Sequence, residues 1–354
     1  MNKIFIDPKK IDKSLIKKAA QSISKGNIVA FATETVYGLG VLADRKDAVE
    51  KLYAVKGRPK NKPFSIALGS IGLAVRGYFD TLPPFGYRLI ERYWPGPLTI
   101  VYYTPQDKKI GIRIPGHIVA NEILRELDSP VYLPSANLSG QKEAVSADEV
   151  EATFAGKIDL IVDSGTCAYS KPSTVVDITY KPYKVLREGV VSGNDIARVF
   201  VRKRILFVCT GNTCRSPMAQ LLLEKYLAKE KAYFQDRYEV ISRGISAFTG
   251  SPAAESTRSI LAEKEGLDSY EFQAQKLNRH TILSSDLIFT MEDSQSRYIL
   301  ELEPKAEGKV FNLKKFLPHE LEKDIPDPIG QGMEIYEEAY SLIKKAVLEL
   351  KDWL

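Results

Sequence analysis

The segment from Ile205 to Pro217 constrains the fold more than any other part of this chain. Four apolar residues lead into Cys209, a short polar loop follows, and Ser216-Pro217 open a run with helical character. This order predicts a buried strand, a tight loop and a helix with proline in its first turn.

The loop itself predicts an anion site that contains a nucleophile. Cys209 and Arg215 bracket it, and such a loop can point successive backbone N–H groups at an anion at the positive end of a helix. The same field lowers the pKa of a thiol, which makes Cys209 a candidate thiolate nucleophile, and the planar guanidinium of Arg215 matches phosphate oxygens. A buried structural cysteine beside a surface arginine is the alternative, and the strand and helix around the loop disfavour it. The predicted phosphate loop comprises Thr210, Gly211, Asn212, Thr213, Cys214 and Ser216.

Composition excludes several classes of protein. Three cysteines in 354 residues argue against a disulfide framework, and three isolated histidines argue against a structural zinc site. We therefore predict no metal-binding residues from the composition. No apolar run approaches the roughly 20 residues that span a bilayer, and the N-terminus lacks the apolar core of a signal peptide. These features predict a cytoplasmic protein without a membrane segment.

The charge distribution and the element pattern divide the chain in two. Residues 1–200 hold 28 Lys+Arg and 21 Asp+Glu (+7), whereas residues 201–354 hold 22 and 24 (−2), so the basic surplus lies in the first half. The basic run 202–204 reads as a joint, which predicts domains 1–201 and 202–354. Strands and helices alternate after Cys209, which predicts a parallel sheet with ligands at the carboxyl ends of its strands.

Polar clusters in the first half follow predicted strands or line predicted loops. They supply several cationic groups together with hydroxyl and amide donors, an inventory that suits a nucleoside triphosphate and an amino-acid carboxylate. Each cluster alone is also compatible with an ordinary solvated loop. The sequence of residues 33–40, which contains two glycines, predicts a polar turn.

Six segments of this half, in this order, resemble the YrdC-like threonylcarbamoyl-AMP synthase family. They are Thr33-Glu-Thr-Val-Tyr-Gly-Leu-Gly40, Lys56-Gly-Arg-Pro59, Trp94-Pro-Gly-Pro-Leu-Thr99, Ser135-Ala-Asn-Leu-Ser-Gly140, Ser173-Thr-Val-Val-Asp177 and Arg187-Glu-Gly189. The resemblance implies a twisted mixed-sheet α/β fold. It also implies synthesis of threonylcarbamoyl-AMP from ATP, bicarbonate and L-threonine, with Mg²⁺, for threonylcarbamoyladenosine formation in tRNA by a transferase complex.

The same resemblance assigns residues to ligands. It places Thr35, Arg113 and Ser173 around threonine, and it places Lys56, Arg58, Ser135, Asn137 and Arg187 around ATP, with Lys62 as a weaker ATP contact. A module that only binds RNA or nucleotide is the alternative, which the basic surplus allows and the retained clusters disfavour.

The second half resembles the low-molecular-weight phosphotyrosine phosphatase family, through the Cys209–Arg215 loop, Ser242-Arg-Gly244 and Asp324-Ile-Pro-Asp327. The resemblance implies a Rossmann-like domain with a parallel sheet and phosphate transfer to Cys209 without a cofactor or metal. Asp327 matches the Asp-Pro motif of the family and is the candidate general acid, with Asp324 as a nearby alternative.

Two positions suggest the substrate. Thr213 stands where tyrosine phosphatases of this family usually carry Ile or Leu, and Ile329-Gly330 replaces a common tyrosine pair. The threonine resembles the arginine phosphatase branch, so we predict a phosphorylated protein substrate carrying phosphoarginine, with phosphotyrosine or a small phosphate ester as the alternative. Cys214 reads equally as the partner of Cys209 in a protective disulfide and as an inert thiol.

Overall fold

The computed structural model describes residues 2–79, 81–127, 129–229, 237–319 and 323–354. The chain folds into two units. Unit 1 comprises residues 1–82 and 88–197, and unit 2 comprises residues 83–87 and 198–354. The limits inferred from the sequence, 1–201 and 202–354, stay a prediction.

A ten-stranded mixed sheet forms the centre of unit 1, which confirms the predicted α/β class. Its strand order is β1-β8-β2-β3-β7-β4-β6-β5-β9-β10, with parallel and antiparallel pairs in the same sheet. The strands are β1 (Asn2–Phe5), β2 (Val29–Ala32), β3 (Tyr37–Leu42), β4 (Ile66–Ala67), β5 (Leu98–Tyr103), β6 (Lys109–Arg113), β7 (Val131–Tyr132), β8 (Leu160–Asp163), β9 (Thr174–Asp177) and β10 (Lys184–Arg187).

Helices cover this sheet and bury apolar side chains against it. In the first of them, the Asp12 carboxylate accepts from Ser14 N at 2.8 Å and so caps the free N–H groups, while Ile16 and Ile23 are fully buried. The helices up to residue 201 are α1 (Lys13–Ser24), α2 (Lys46–Lys56), α3 (Ile71–Leu73, continued by a π-helical turn at Ala74–Tyr78), α4 (Pro84–Tyr93), α5 (Ile118–Arg125), α6 (Ala147–Phe154) and α7 (Gly193–Val201).

The expected polar turn at residues 33–40 is wrong in its second half, because β3 begins at Tyr37. The two glycines that suggested a turn serve close packing instead. A Cβ added to Gly38 would lie 2.7 Å from Leu133 Cδ1, and one added to Gly40 would lie 2.6 Å from Phe31 Cε1. Only residues 33–36 remain as the connection, which brings the polar Thr33–Thr35 segment to the end of β2.

Unit 2 contains a four-stranded sheet in which every strand pair is parallel, as predicted. Its order is β12-β11-β13-β14, so β11 is an inner strand and ends at Cys209. The strands are β11 (Lys203–Cys209), β12 (Tyr238–Gly244), β13 (Leu287–Thr290) and β14 (Val310–Asn312). The helices are α8 (Arg215–Lys229), α9 (Glu255–Glu265), α10 (Arg279–Ser284), α11 (Asp293–Leu302) and α12 (Met333–Trp353), with 3₁₀ turns at Pro304–Ala306 and Leu313–Phe316. None of the helices in the described ranges has the length and apolar character to cross a bilayer.

The basic run at 202–204 is only partly a joint, because β11 already includes Lys203 and Arg204. The Arg204 guanidinium is 8% exposed, and it donates to Glu239 Oε2 at 3.0 Å and to Ser284 Oγ at 2.8 Å. A charged residue therefore occupies the buried start of this strand because its charge is paired there.

A buried ionic cluster ties α8 to α9 and α12. The side chain of Glu265 is 4% exposed and accepts from Lys225 Nζ at 2.5 Å, Lys344 Nζ at 2.7 Å and the Tyr340 hydroxyl. Burial alone raises the pKa of Glu265, but the hydrogen bonds from Lys225, Lys344 and Tyr340 outweigh it and lower the pKa to about 2.

We expect Glu265→Ala to lower the free energy of unfolding by about 2–4 kcal/mol, because it removes the buried carboxylate and leaves the half-buried Lys225 only its hydrogen bond to the main-chain oxygen of residue 265. The contribution of Glu265 is complete above the unfolded pKa near 4.5 and disappears as the pH falls through about 2. Urea unfolding of the full chain at pH 7 and pH 3 measures both effects. Glu263→Ala, at an exposed position of the same helix, is the control and should change stability little.

Candidate functional sites

A cavity of about 870 Å³ in unit 1 collects most of the side chains predicted to bind ATP and threonine. Seven of the nine predicted residues line it, whereas Thr35 and Lys62 do not. Those that do are Lys56, Arg58, Arg113, Ser135, Asn137, Ser173 and Arg187, and they are joined by Lys108, Lys109, Glu143 and Asp177. The surplus of cations predicts an anionic ligand.

Lys56 ends α2 and is 2% exposed at the cavity wall. Its Nζ donates to the main-chain oxygens of Ser135 at 2.5 Å and Asn137 at 2.8 Å, and lies 3.3 Å from Asn137 Oδ1. Burial, with the charge of Arg58 acting in the same direction, lowers the pKa of Lys56 to about 8. The lysine therefore fixes the loop that follows β7 and keeps its proton at neutral pH.

Arg113, at the end of β6, forms a half-buried ion pair with Glu34. Its Nη2 donates to Glu34 Oε1 at 2.6 Å and to Thr35 Oγ1 at 2.9 Å, and Gly116 N donates to the second Glu34 oxygen at 2.7 Å. Thr35 itself is fully buried, with its hydroxyl 2.8 Å from that of Thr33. Sequence reasoning included Glu34 in a polar cluster and gave it no role.

Ser173 and Arg187 contact each other in the cavity wall. Arg187 donates to Ser173 O and to Ser173 Oγ, both at 3.0 Å, and the Ser173 hydroxyl is 3.1 Å from Thr99 Oγ1. The serine hydroxyl thus has a fixed position in the cavity wall, next to a cation.

Arg58 and Lys62 differ in their placement, although both were assigned to ATP. The Arg58 guanidinium lines the cavity, donates to the carbonyl oxygens of Lys62 and Pro63, and lies 5.3 Å from the ring centroid of Phe64. Lys62 is exposed and contributes its main-chain oxygen to this arrangement.

The described residues contain no group of three or more His, Cys, Asp or Glu side chains placed to hold a metal ion. Mg²⁺ in phosphate-transfer sites is commonly held by one or two carboxylates together with substrate phosphates. Glu143 lines the cavity and fits that role, whereas the Asp177 carboxylate already accepts from Lys109 Nζ at 3.2 Å and from Thr179 N and Oγ1.

The predicted phosphate loop of unit 2 surrounds Cys209, at the carboxyl end of β11. Cys209 is 2% exposed, and its Sγ lies 3.0 Å from Ser216 Oγ and accepts from Asn212 N at 3.2 Å. Sequence reasoning placed the strand, the loop and the helix correctly, and α8 begins at Arg215.

Asn212 holds the loop in shape from a fully buried position. Its φ of 56° lies in the left-handed region, which asparagine tolerates better than most residues. Its amide group donates to Ser216 Oγ and to Ser242 Oγ, both at 2.9 Å, and its Oδ1 accepts from Gln275 N at 2.8 Å. Close under the loop, a Cβ on Gly244 would lie 2.7 Å from Thr210 O.

Arg215 is 1% exposed and pairs with two carboxylates. Its Nη1 donates to Glu292 Oε1 at 2.5 Å and to Ile325 O at 2.9 Å, and its Nη2 donates to Asp327 Oδ2 at 2.5 Å. The structure therefore brings Asp327 to the phosphate loop, whereas Asp324 contacts Lys314 and Asn312 instead.

The expectation that the loop lowers the pKa of the Cys209 thiol is wrong for this arrangement. Burial raises the pKa of Cys209, against the opposing influence of Ser216, Arg215 and Asn212. The reason is the complete burial of the thiol, which the hydrogen bonds from Ser216 and Asn212 and the charge of Arg215 do not outweigh.

Thr213 and Cys214 precede Arg215 in the loop, and their side chains differ in exposure. Thr213 is half-buried, and its Oγ1 lies 3.6 Å from Cys214 Sγ. Cys214 is 4% exposed with its Sγ 3.5 Å from the Tyr336 hydroxyl, and both loop cysteines are free thiols here.

Comparison with known proteins identifies the first half. The Sua5/YciO/YrdC family model, described as "Telomere recombination", matches residues 21–189. A putative threonylcarbamoyl-AMP synthase of Methanocaldococcus jannaschii is 34% identical over 195 residues, which are 52% of this chain and 91% of that protein. The chain belongs to the threonylcarbamoyl-AMP synthase family.

Other members of the synthase family are longer than the matched region. The threonylcarbamoyl-AMP synthase of Pyrococcus abyssi is 35% identical over 205 residues, so that 55% of this chain spans 60% of that relative. The crystal structure of P. abyssi Sua5 complexed with L-threonine superimposes with a TM-score of 0.54 at 23% identity, covering 88% of this chain and 99% of that one. At this identity the likeness establishes the fold.

A second family model, described as low molecular weight phosphotyrosine protein phosphatase, matches residues 204–354. The chain thus joins a synthase-family domain to a low-molecular-weight phosphatase domain, as the two resemblances predicted.

Sequence reasoning missed the partners that come from distant segments. No role was assigned from the sequence to Glu292, Glu143 or Lys109, and Asp177 stood in a segment that resembles the synthase family without a role of its own. A signal existed only for Glu292, through its place directly after β13 in a parallel sheet.

Proposed function

We propose that unit 1 makes L-threonylcarbamoyl-AMP from ATP, bicarbonate and L-threonine. The observation that carries this proposal is the cavity of about 870 Å³, whose wall unites Lys56, Arg58, Arg113 and Arg187 with hydroxyl and amide donors. Such a set suits a triphosphate and a carboxylate in one pocket. Membership of the synthase family supports the same activity.

The reaction needs charge stabilisation more than covalent chemistry by the protein. The threonine amino group and bicarbonate form a carbamate with loss of water. A carbamate oxygen then attacks the α-phosphorus of ATP, and the bond to the departing pyrophosphate breaks. Lys56, Arg58 and Arg187 balance the phosphate charges, and Mg²⁺, which Glu143 would help to hold, would supply further positive charge there. Arg113 binds the threonine carboxylate, for which it exchanges its bond with Glu34.

The product is an activated intermediate, so a further enzyme must consume it. We place the chain in the cytoplasm, where it supplies the threonylcarbamoyl transferase complex that modifies tRNA. A module that only binds RNA or nucleotide is the competing function.

Threonine-dependent release of pyrophosphate by the full chain tests the synthase proposal. We expect pyrophosphate and a product of the mass of threonylcarbamoyl-AMP when ATP, bicarbonate and threonine are all present. Reactions without threonine or without bicarbonate are the controls. Binding of ATP or RNA without any pyrophosphate release would favour the competing function.

We propose for unit 2 a cysteine-dependent phosphatase activity. The thiolate of Cys209 attacks phosphorus, the Sγ–P bond forms, and the bond to the leaving group breaks as Asp327 gives it a proton. Water then attacks the phosphorus of the phosphocysteine and gives a proton to Asp327, and the Sγ–P bond breaks to release inorganic phosphate and the Cys209 thiolate. Arg215 exchanges its two carboxylates for the equatorial phosphate oxygens. The contact of Nη2 with Asp327 Oδ2 at 2.5 Å supports this assignment, because it brings the acid to the loop.

A phosphoarginine side chain of a protein is the substrate that we propose, in which a guanidinium nitrogen leaves. Thr213 supports it, since a half-buried hydroxyl at the loop favours a polar guanidinium over a phenol ring.

Thr213→Ile should lower the preference for phosphoarginine over phosphotyrosine peptides about 10-fold or more, because it removes that hydroxyl and adds apolar bulk. The ratio of the two kcat/KM values measures the effect. Thr213→Ser keeps the hydroxyl and should keep the preference. An unchanged ratio in Thr213→Ile would exclude Thr213 as the selecting residue and leave phosphotyrosine as the alternative.

A further inference from the structure

The segment that carries Asp327 has no regular secondary structure between residue 323 and the start of α12. A general acid nevertheless needs a fixed position within hydrogen-bond reach of the leaving atom. Ile325 supplies one attachment. Its side chain is fully buried, its N donates to Met291 O at 2.9 Å, and its O accepts from Arg215 Nη1 at 2.9 Å.

A second attachment is polar and lies outside the site described above. It consists of Asn312, Lys314, Asp293 and Asp324, which we call the Asp324 cluster. Asp324 Oδ1 accepts from Asn312 Nδ2 at 2.7 Å and lies 3.3 Å from Lys314 Nζ, and Asp324 Oδ2 accepts from Asp293 N at 3.3 Å.

Asp293 completes the Asp324 cluster. Its two carboxylate oxygens accept from Asn312 Nδ2 at 2.7 Å and from Lys314 Nζ at 2.6 Å. Two carboxylates therefore share one ammonium group and one amide. Asn312 is 4% exposed, and its Oδ1 accepts from Lys314 N at 3.1 Å, so the donors are themselves fixed at the end of β14.

The Asp324 cluster lies close in sequence to the two carboxylates that pair with Arg215. Asp293 directly follows Glu292, and Asp324 precedes Asp327 by three residues, with Pro326 and Pro328 restricting the backbone on either side of the acid. One small cluster thus sets the distance between the two segments that meet at Arg215.

We propose that Asp324 is a positioning residue for the general acid Asp327 and acts through Asn312 and Lys314. The inference rests on the proposed phosphatase function. Asp324 takes no proton to or from substrate. It keeps the Asp327 carboxyl at the leaving atom while the Sγ–P bond forms and the bond from phosphorus to the leaving atom breaks, so that the proton reaches the departing nitrogen of phosphoarginine or the departing oxygen of an ester.

Esters with different leaving groups separate positioning from a general structural role. Phenolate from phenyl phosphate needs a proton to leave, whereas 2,4-dinitrophenolate leaves without one. In the full chain, Asp324→Ala should lower kcat/KM for phenyl phosphate about 10–100-fold, while kcat/KM for 2,4-dinitrophenyl phosphate changes less than about 3-fold. Lys314→Met removes the ammonium group that Asp293 and Asp324 share, and it should give the same pattern. It replaces Asp324→Ala as the test if the alanine variant does not fold.

Lys323→Met is the matched control. It removes the surface pair of Lys323 with Glu338, next to Asp324 on the same segment, and leaves the Asp324 cluster intact. Both rates should match those of the wild-type chain. Adding Asp324→Ala to Asp327→Asn should cost nothing further on phenyl phosphate, because the group to be positioned is gone.

The outcomes separate the two levels of the proposal. An active wild-type chain whose Asp324→Ala and Lys314→Met variants lose both esters equally, or lose neither, overturns the positioning role alone. A wild-type chain that hydrolyses neither ester, or a Cys209→Ser chain that remains active, overturns the phosphatase function and the positioning role with it.

Discussion

Cys209→Ser should abolish hydrolysis of every phosphate ester by the full chain, a loss on the order of 10⁴-fold or more. Cys209 is 2% exposed and lies between Ser216 Oγ and Asn212 N, and a serine side chain can occupy the same place. A serine hydroxyl, however, does not ionise in the pH range in which a cysteine thiol does. Steady-state hydrolysis of p-nitrophenyl phosphate measures the loss, and the melting temperature checks the fold.

The control for this variant is Cys167→Ser, which changes the third cysteine, in unit 1. Phosphatase activity should be unaffected by it, and the synthase reaction should survive Cys209→Ser. Residual hydrolysis above about 1% in Cys209→Ser would contradict covalent catalysis by this residue.

A phosphate that binds to Arg215 must first displace the two carboxylates that occupy its guanidinium. In the structure the guanidinium is bound by Glu292 and Asp327, and burial raises the pKa of the Cys209 thiol. In the proposed reaction, a phosphate that takes Arg215 from these carboxylates would also free Asp327 for proton transfer. Substrate binding and preparation of the general acid would then be one event.

The phosphate loop was predictable from the sequence because its determinants are local. The apolar run to Cys209, the polar loop and the Ser216-Pro217 opening lie within 13 residues, and they specify strand, loop and helix without help from elsewhere. The match of Asp327 to an Asp-Pro motif indicated the candidate general acid, but only through resemblance.

The contacts that hold these parts together were not predictable, because they join residues that are distant in sequence. Arg215 meets Glu292 across 77 positions and Asp327 across 112, and Asn212 meets Gln275 across 63. No periodicity or spacing in a single chain encodes such a pair.

In unit 1 the sequence indicated which polar residues form the candidate site, but it did not indicate which of them contact one another. The glycines of residues 33–40 indicated a turn. Their actual role is to leave room for Leu133 beside Gly38 and for Phe31 beside Gly40, and the sequence does not reveal these contacts. The pair of Arg113 with Glu34 depends on the parallel and antiparallel register of a ten-stranded sheet, which local pattern does not determine.

Lys56→Met should lower kcat/KM of the synthase reaction by a factor on the order of 10²–10³, mainly through ATP. Lys56 is 2% exposed at the cavity wall, and its Nζ binds the main-chain oxygens of Ser135 and Asn137. Methionine keeps the length of the side chain, so it removes both the charge next to the phosphates and the hydrogen bonds that shape the loop after β7. Pyrophosphate release at varied ATP concentration measures the loss.

The pH dependence of ATP binding distinguishes the charge of Lys56 from its bulk. Because burial lowers the pKa of Lys56 to about 8, wild-type affinity for ATP should fall as the pH rises through 8, and Lys56→Met should lose that transition. Between pH 8 and 10.5 the unfolded chain keeps a proton that the folded chain has released, so the contribution of Lys56 to stability rises over this range. Lys60→Met, at an exposed lysine four residues after Lys56 that pairs with Glu50, should keep both the rate and the transition. If Lys56→Met retains the wild-type fall in affinity near pH 8, another group carries that titration, and Lys56 serves the loop rather than the triphosphate.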